Sequence, residues 1–229
     1  METQNILVSN ASEAEKATFY KKTYLHVALA VLAFILVESI LLKVIPIEMI
    51  AGMVQHQMVW LFIIGLFWLG TSLSNKMAFA PSREQQYLGL AAYVILEAII
   101  FLPMIAIATL YTGIDMIMQA ALITLSMFSG LTAVVFFTKT DFSFLRTALT
   151  VGGFIALGII VVGAIFGFNL GLWFSVGMVV LASGSILYQT NQIKDHYGTE
   201  QYVGASLQLF ASIMLLFWYI LRILMSRRR

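Results

Sequence analysis

Seven long apolar runs occupy most of this 229-residue chain, and each is close to the length that a helix needs to cross a lipid bilayer. A spanning helix takes about 20 mostly apolar residues, because each adds about 1.5 Å toward a hydrocarbon thickness of about 30 Å. The apolar residues are continuous and do not alternate with polar ones, which favours helices over barrel strands. We therefore predict an all-α integral membrane protein with seven helices. The runs are residues 23–42, 54–73, 87–111, 116–137, 145–168, 171–191 and 202–225.

The composition excludes a soluble domain. Hydrophobic residues make up 61% of the chain and charged residues only 10%, against about 25% charged in ordinary soluble domains. The net charge of +2 is too small for a nucleic-acid footprint, so we expect no nucleic-acid partner. The sequence has no Cys, which excludes disulfides and Cys-ligated metal. We expect no cofactor and no metal site, and a lipid bilayer as the main partner.

The separators between the runs are short, and none resembles a linker between soluble domains. We predict a polar N-terminal tail over residues 1–22, one membrane domain over residues 23–225 and a basic tail over residues 226–229. The separators include loops at 43–53, with Pro46, and at 74–86, and a turn at Asn169. Pro103 falls inside the third run, where neighbouring helices tolerate a kink.

Basic residues near the ends of the runs predict the orientation, because cytoplasmic loops are enriched in Lys and Arg. On the side of the N-terminus lie Lys16, Lys21, Lys22, Lys76, Arg83, Lys139, Arg146 and Lys194, whereas only Lys43 lies in a loop on the other side. The N-terminus is therefore predicted to be cytoplasmic. The C-terminal Arg222 and residues 227–229 fall on the opposite side, against this rule. Seven spans is our preferred count, and a last segment that re-enters without crossing, giving six spans, is the alternative.

Small residues recur at a spacing of four in two places. Gly163, Gly167 and Gly171 surround the fifth-to-sixth connection, and Ser126 and Gly130 lie in the fourth run. This spacing lets helix backbones approach closely in a membrane. Packing within the chain is the preferred interpretation, and a dimer face is the alternative.

Ionisable side chains inside spans are costly and are therefore functional candidates. Glu97 lies near the middle of the third run, Glu38 in the outer third of the first, and His26 near the inner end of the first. For Glu97 the alternatives are a proton- or cation-carrying carboxylate and a protonated side chain that bonds a neighbouring helix. Glu38 can also extend outward to the interface, and for His26 an interfacial hydrogen bond suffices.

Polar side chains follow one face of each of the last two helices. In the sixth run these are Ser185, Gln189, Gln192 and His196, and in the seventh they are Gln208, Ser212, Tyr219 and Arg222. A helix repeats every 3.6 residues, so each set lies on one side. Two such stripes facing one another predict either a wet path through the bundle or a set of interhelical hydrogen bonds.

Over residues 18–224 the chain resembles the Bax inhibitor family, the transmembrane Bax inhibitor motif proteins. The resemblance rests on the seven-run hydropathy and three segments in order: Phe-Tyr-Lys-Lys-Thr-Tyr at 19–24, Leu-Ser-Asn-Lys-Met at 73–77, and Tyr-Gln-Thr-Asn-Gln-Ile at 188–193. It implies a bundle whose last helix is surrounded by the other six, and in several members a pH-sensitive calcium leak. A bacterial-type member is expected in the inner (plasma) membrane.

The family's pH sensor is a pair of Asp, one in the sixth span and one in the middle of the last. Here the first position holds Gln189, and the second falls on Ser212 or Phe210. An amide and a hydroxyl do not titrate near neutral pH, unlike two coupled carboxylates. We therefore expect Gln189 to bond Ser212 and hold the last two helices together at every pH. Any remaining proton sensing is assigned to Glu97, with Asp195 and His196 at the cytoplasmic mouth.

Three functions compete on this sequence. The first is a calcium or proton leak of the Bax inhibitor type, and the second is a non-transporting regulator of other membrane proteins or of a membrane protease. The third is a small-solute permease, for which Pro103 beside Glu97 is the one hint. The chain lacks His-Glu-x-x-His and Gly-x-Ser-x-Gly motifs, so we do not expect an enzyme.

Overall fold

The computed structural model describes residues 6–55, 57–168 and 170–226, and this part of the chain is an all-helical bundle. A short 3-10 helix at Val8–Asn10 precedes the helices α1 (Glu13–Val44), α2 (Ile47–Gln55), α3 (Gln57–Ala78), α4 (Arg83–Thr112), α5 (Ile114–Phe137), α6 (Leu145–Phe166), α7 (Gly171–Asp195) and α8 (Tyr202–Ser226). Of these described helices, all except α2 are long and apolar enough to cross a membrane. The predicted all-α fold with seven spans is confirmed. The predicted turn at Asn169 and the basic residues 227–229 lie outside the described residues.

Two helix boundaries differ from the sequence prediction by five residues or more. Helix α1 begins at Glu13, inside the predicted tail, because Ser12 and Glu15 form a capping box. The Ser12 backbone N–H donates to Glu15 Oε2 over 2.8 Å, and the Glu15 N–H donates back to Ser12 Oγ over 3.4 Å. Helix α3 continues to Ala78 through residues predicted as loop.

Helix α2 corrects a further prediction, because it occupies residues that were expected to form the loop at 43–53. It follows Pro46, whose carbonyl accepts the N–H groups of Met49 and Ile50. Ile50 is buried against Leu102 and Ala106 of α4, whereas Met49 is 65% exposed. Helix α2 thus packs one face on α4 and turns another face outward.

Helix α8 is the core of the bundle. It packs against α1, α3, α4, α5 and α7, and it is buried along most of its length. Leu207, Leu209, Phe210 and Leu216 are completely buried on different sides of this one helix. The predicted central position of the last helix is therefore confirmed, although five and not six spanning helices of the described bundle pack against it, because α6 packs on α7 and α3 instead. Helix α8 is continuous, and its C-terminal end lines the same cavity as the C-terminal end of α4 and the start of α7. It therefore runs the full height of the bundle and does not turn back partway as a re-entrant segment.

The outer faces of the bundle are apolar, as lipid requires. Phe137 on α5 and Trp173 on α7 are 89% and 86% exposed. Helix α6 packs mainly on α7 and α3 and leaves most of its surface uncovered. Such large apolar surfaces are not stable in water, and they are expected where acyl chains replace water.

The closest helix approaches occur at glycines that the small-residue pattern did not select. A Cβ on Gly89 of α4 would lie 2.6 Å from the Ser74 carbonyl oxygen and 2.7 Å from the Ala78 nitrogen of α3. By contrast, Ser126 and Gly130 lie on an exposed face of α5, and nothing lies within 4 Å of a Cβ on Gly130. The predicted packing role within the chain is thus wrong for this pair.

The predicted role of glycines in close packing at the fifth-to-sixth connection is confirmed only for Gly163. A Cβ on Gly163 would come within 2.8 Å of Leu170 Cδ2, so this glycine does allow a close contact across the turn. Gly167 and Gly171 have positive φ values of 70° and 72°, which side chains other than glycine rarely adopt. These two glycines therefore serve the turn and not helix packing.

We expect Gly89→Ala to destabilise the protein and Gly130→Ala to leave it unchanged or slightly more stable. The added methyl group at Gly89 meets backbone atoms of α3 that cannot move aside, a type of overpacking that costs about 1–3 kcal/mol. At the open Gly130 position, alanine gains about 0.5–1 kcal/mol over glycine in a helix. Thermal unfolding of both variants in the same detergent checks this. Equal melting temperatures would contradict the α3–α4 contact.

Candidate functional site

A polar seam joins α7 and α8 through hydrogen bonds between side chains of the two predicted stripes. Ser185 Oγ and Ser212 Oγ lie 2.8 Å apart, and Gln189 Nε2 donates to Gln208 Oε1 over 3.5 Å. The predicted bond between Gln189 and Ser212 is therefore wrong in its pairing. Gln189 instead pairs with Gln208, one helical turn before Ser212, and Ser212 pairs with Ser185. Hydrogen bonds therefore still join the two helices at this level. We call these four residues the seam.

The seam continues into two residues that the sequence did not single out as site residues. Gln208 Nε2 donates to Asn75 Oδ1 of α3 over 2.9 Å, and the Tyr197 hydroxyl donates to Gln189 Oε1 over 3.3 Å. Burial raises the pKa of the Tyr197 hydroxyl, so this group stays protonated and keeps its role as a donor. Tyr197, Gln189, Gln208 and Asn75 thus form one chain of hydrogen bonds that ends on a third helix.

The structure decides which residue of the last helix belongs to the seam. Ser212 faces α7, and its hydroxyl also donates to the Gln208 carbonyl oxygen over 3.0 Å. Phe210 is completely buried, and its ring meets the Tyr93 ring edge-on with the centroids 6.2 Å apart. Ser212 is therefore the seam position, and Phe210 is a core residue.

A cavity of about 620 Å³ lies beside the seam, and we call it the seam cavity. Its walls come from α3, α4, α6, α7 and α8, and most of its lining is apolar. All four seam residues line it, together with Glu97 of α4 and Arg222 near the end of α8. The described residues contain no ion pair that involves Glu97 or Arg222, so the two charges share the cavity without neutralising each other by contact.

Glu97, one of the candidate residues from the sequence, is the acidic group of this cavity. It lies on α4, the helix with the most buried span in the described part of the bundle, and only 6% of the residue is exposed. Tyr93, one turn earlier on α4, lines the same cavity. The arrangement places one carboxyl group among amide and hydroxyl groups inside an otherwise apolar space.

The remaining candidate residues lie outside the seam cavity. Glu38 does not extend to the interface, because it is 5% exposed and neither of its carboxylate oxygens has a hydrogen-bond partner in the described structure. Gln192 and Asp195 are half-buried at the end of α7, and His196 is exposed just beyond it. His26 is on α1, where its ring stacks on Tyr87 and its Nε2 lies 3.1 Å from the Tyr87 hydroxyl.

The N-terminal segment closes the bundle at the end where the α7–α8 loop lies. The Val8 N–H donates to the Tyr197 carbonyl oxygen, and the Thr199 N–H donates to the Ile6 carbonyl oxygen, both over 2.9 Å. Val8 is completely buried. We call residues 6–10 the N-terminal clasp. Since Tyr197 is also the end of the hydrogen-bonded chain, the clasp covers the polar interior at this end.

The loop between α5 and α6 is hydrogen-bonded to α7 at the same end of the bundle. Asn191 Nδ2 donates to Asp141 Oδ1 over 2.9 Å, and Lys194 Nζ donates to the Val135 carbonyl oxygen over 3.1 Å. Hydrogen bonds from Ser143 and Asn191 lower the pKa of the Asp141 carboxyl, so it remains charged at neutral pH. Asn191, part of the 188–193 segment, thus connects α7 to the α5–α6 loop.

The acidic and histidine side chains in the described part of the chain are too dispersed to hold a metal ion together. Among the described residues no group of three or more His, Asp or Glu lies close enough to do so. A cation in the seam cavity would therefore meet one carboxylate and several neutral oxygens. Such a set favours brief coordination over tight binding, because calcium sites usually hold 6–8 oxygen ligands with several carboxylates.

A seven-span bundle with an enclosed last helix and a polar contact between its last two helices is the architecture that the sequence resemblance implied. The family model described as "Inhibitor of apoptosis-promoting Bax1" matches residues 16–229. The match covers nearly the whole chain, so the protein belongs to the Bax inhibitor-1 family. It is an integral membrane protein of that family.

A curated bacterial relative supports the same assignment. The chain is 38% identical over 122 residues to an uncharacterized protein of Pseudomonas aeruginosa. That alignment covers 51% of this chain and 54% of the relative. The chain thus spans about half of the length of the curated relative it matches.

We expect Val8→Asp to open the clasp and expose the seam. An Asp at this completely buried position places a charge where it has no partner, whereas Leu7→Asp is a matched control because Leu7 is 49% exposed. The chain has no Cys, so Gln189→Cys provides a single reporter thiol. A membrane-impermeant maleimide should label it about tenfold faster with Val8→Asp, corresponding to a change of about 1.4 kcal/mol in opening. Equal rates in the Val8→Asp and Leu7→Asp proteins would contradict the covering role of the clasp.

Proposed function

We propose that the protein is a regulated leak for cations, either calcium or protons, of the Bax inhibitor type. The single observation that carries this proposal is the seam cavity, where Glu97 shares one space with the hydrogen-bonded side chains of α7 and α8. Ionisable groups within a membrane span mark ion or proton pathways more often than they serve structure. The proposal concerns transport without catalysis, and we expect no enzymatic activity.

Glu97 is the group that selects for cations in this proposal. No other carboxylate is found among the described residues that line the seam cavity. The oxygens of Gln189, Gln208 and the two seam serines supply neutral ligands beside it. Hard cations take carboxylate, carbonyl and hydroxyl oxygens, and a proton needs only the carboxylate and a hydrogen-bonded chain.

The described conformation is proposed to be the closed one. The seam side chains satisfy each other, so a cation must displace the bonds from Gln189 to Gln208 and from Ser185 to Ser212 before it passes. The clasp covers the end of this chain at Tyr197. Because amide and hydroxyl groups do not titrate near neutral pH, the paired-Asp gate of the family is absent, and Glu97 is the proposed site of any pH response.

The orientation follows from the distribution of basic residues. We propose a cytoplasmic N-terminus, since the basic loop residues lie mainly at the end that carries the clasp. In that orientation the clasp and the α5–α6 loop face the cytoplasm, and α2 with the end of α8 faces outward. The resemblance to bacterial members supports the inner (plasma) membrane as the location.

A non-transporting regulator of other membrane proteins is the second candidate, and the closed end of the bundle favours it. The clasp, the α5–α6 loop and Tyr197 together leave the polar interior covered at the N-terminal end. In this alternative the covered interior holds the helices in place, and an outer surface contacts a partner such as a membrane protease. The two candidates differ in whether any ion crosses the bilayer.

We expect purified protein in liposomes to release calcium or conduct protons, and Glu97→Gln to reduce that flux to the rate of protein-free vesicles. Gln replaces the carboxylate by a neutral amide of nearly the same size, so the cavity keeps its shape. A calcium indicator and a pH indicator trapped in parallel vesicle preparations measure the two ions between acidic and neutral pH.

Two further variants test whether the flux depends on the seam cavity and not on any buried carboxylate. Glu38→Gln is the matched control, because Glu38 is also buried but lies outside the seam cavity, and it should retain the wild-type flux. Gln189→Asp places an acid at the family's sensor position and should add a pH-dependent component. Flat traces for wild type and Gln189→Asp at every pH would overturn the leak and favour the regulator.

A further inference from the structure

A second, larger cavity lies at the end of the bundle opposite the clasp. It has a volume of about 1130 Å³, and we call it the end cavity. Its walls come from α2, the end of α4, the start of α7 and the end of α8. The proposed leak does not use this space, and its lining has a chemical character of its own.

The end cavity combines apolar walls with one cation. Its described lining includes Ile50, Met104 and Trp218, and Arg222 is the one charged side chain among the described lining residues. Arg222 is half-buried and forms no ion pair within the described structure. A guanidinium group in apolar surroundings is unfavourable without an anion, and its planar fork matches a carboxylate.

The cavity is open at its rim. Leu110 and Tyr111, at the end of α4, are 65% and 82% exposed while they also line the cavity. Ile47 of α2 forms another part of the rim and is 46% exposed. An occupant can therefore enter from the side, next to α2.

We propose that the end cavity binds a long-chain fatty-acid anion, with its carboxylate on Arg222 and its hydrocarbon chain along the apolar walls. The lone cation matches one monovalent headgroup, and the volume, slightly above the roughly 300–1,000 Å³ of typical small-molecule sites, has room for one long hydrocarbon chain. Arg222 and Trp218 also line the seam cavity, so the bound carboxylate lies where the two cavities meet.

Trp218 provides a direct readout of occupancy. In a chain where the other tryptophans, Trp60, Trp68 and Trp173, are replaced by Phe, Trp218 is the sole indole, and bromine on a bound chain quenches its fluorescence. Dibromostearate and its methyl ester have the same chain, and only the acid carries a charge. In detergent, dibromostearate should half-quench Trp218 at a concentration at least about tenfold below that of the ester, as expected for a charge-assisted bond to Arg222.

Variants of Arg222 test whether this residue provides the preference. Arg222→Gln should remove the difference between the half-quenching concentrations of the acid and the ester. Arg222→Lys should keep part of this difference, because lysine retains the positive charge but lacks the planar guanidinium group. Lys43→Gln is the matched control, since Lys43 lies at the same end of the bundle but does not line the end cavity, and it should behave as wild type. If Arg222→Gln does not give a monodisperse protein, displacement of dibromostearate from the wild type by stearate, and not by methyl stearate, supports the site.

Three results would overturn the proposal. One is equal quenching by the acid and the ester, and another is an undiminished preference in a folded Arg222→Gln protein. The third is quenching by brominated phosphatidylglycerol at concentrations where dibromostearate has no effect, which would assign the cavity to a phospholipid. None of these measurements involves ion flux, so their outcome is independent of the proposed leak.

Discussion

The absence of water from the bilayer interior is the constraint on which the arrangement of this protein depends. A polar side chain at that depth finds a partner within the bundle or remains unsatisfied at a cost of several kcal/mol. Helix α8 carries Gln208 and Ser212 at mid-helix, and neither is stable against acyl chains. Enclosing α8 among five helices places these groups opposite Ser185 and Gln189 of α7 and Asn75 of α3. The central position of the last helix thus follows from where its polar atoms must go.

The same constraint concentrates the functional chemistry in one place. Once the polar atoms of α7 and α8 turn inward, the space beside them is the one part of the described bundle where Glu97 meets neutral oxygens. The acidic group comes from α4 and not from the two helices that carry the family's paired Asp. The bonds between α7 and α8 do not involve Glu97, so in the proposed leak a pH response at Glu97 would act on the charge of the cavity and not on those bonds.

The sequence predicted the span count and the two polar stripes, because each depends on hydropathy and helical periodicity alone, whereas the central last helix was expected only from the resemblance to the Bax inhibitor family. It did not predict the pairing, since a shift of one turn between α7 and α8 exchanges Ser212 for Gln208 as the partner of Gln189. It selected Gly130 for its spacing, although close contact depends on which face of the helix meets a neighbour, as Gly89 shows. The clasp was missed because its contacts with the α7–α8 loop join segments about 190 residues apart, and no local pattern reports such a contact. Tyr197 was missed because it lies beyond α7, outside the helical stripe that led to Gln189.

Cross-linking across the seam tests the enclosed polar contact more directly than any functional assay. The chain has no native Cys, and the hydroxyl oxygens of Ser185 and Ser212 lie 2.8 Å apart, so Ser185→Cys with Ser212→Cys replaces two contacting atoms by two thiols of similar size. In membranes treated with a mild oxidant, we expect this pair to form an intramolecular disulfide nearly completely, while Ser185→Cys paired with an exposed Gly130→Cys stays reduced. A Ser185–Ser212 pair that remains reduced in folded protein would contradict the seam, and with it the cavity that Glu97 shares.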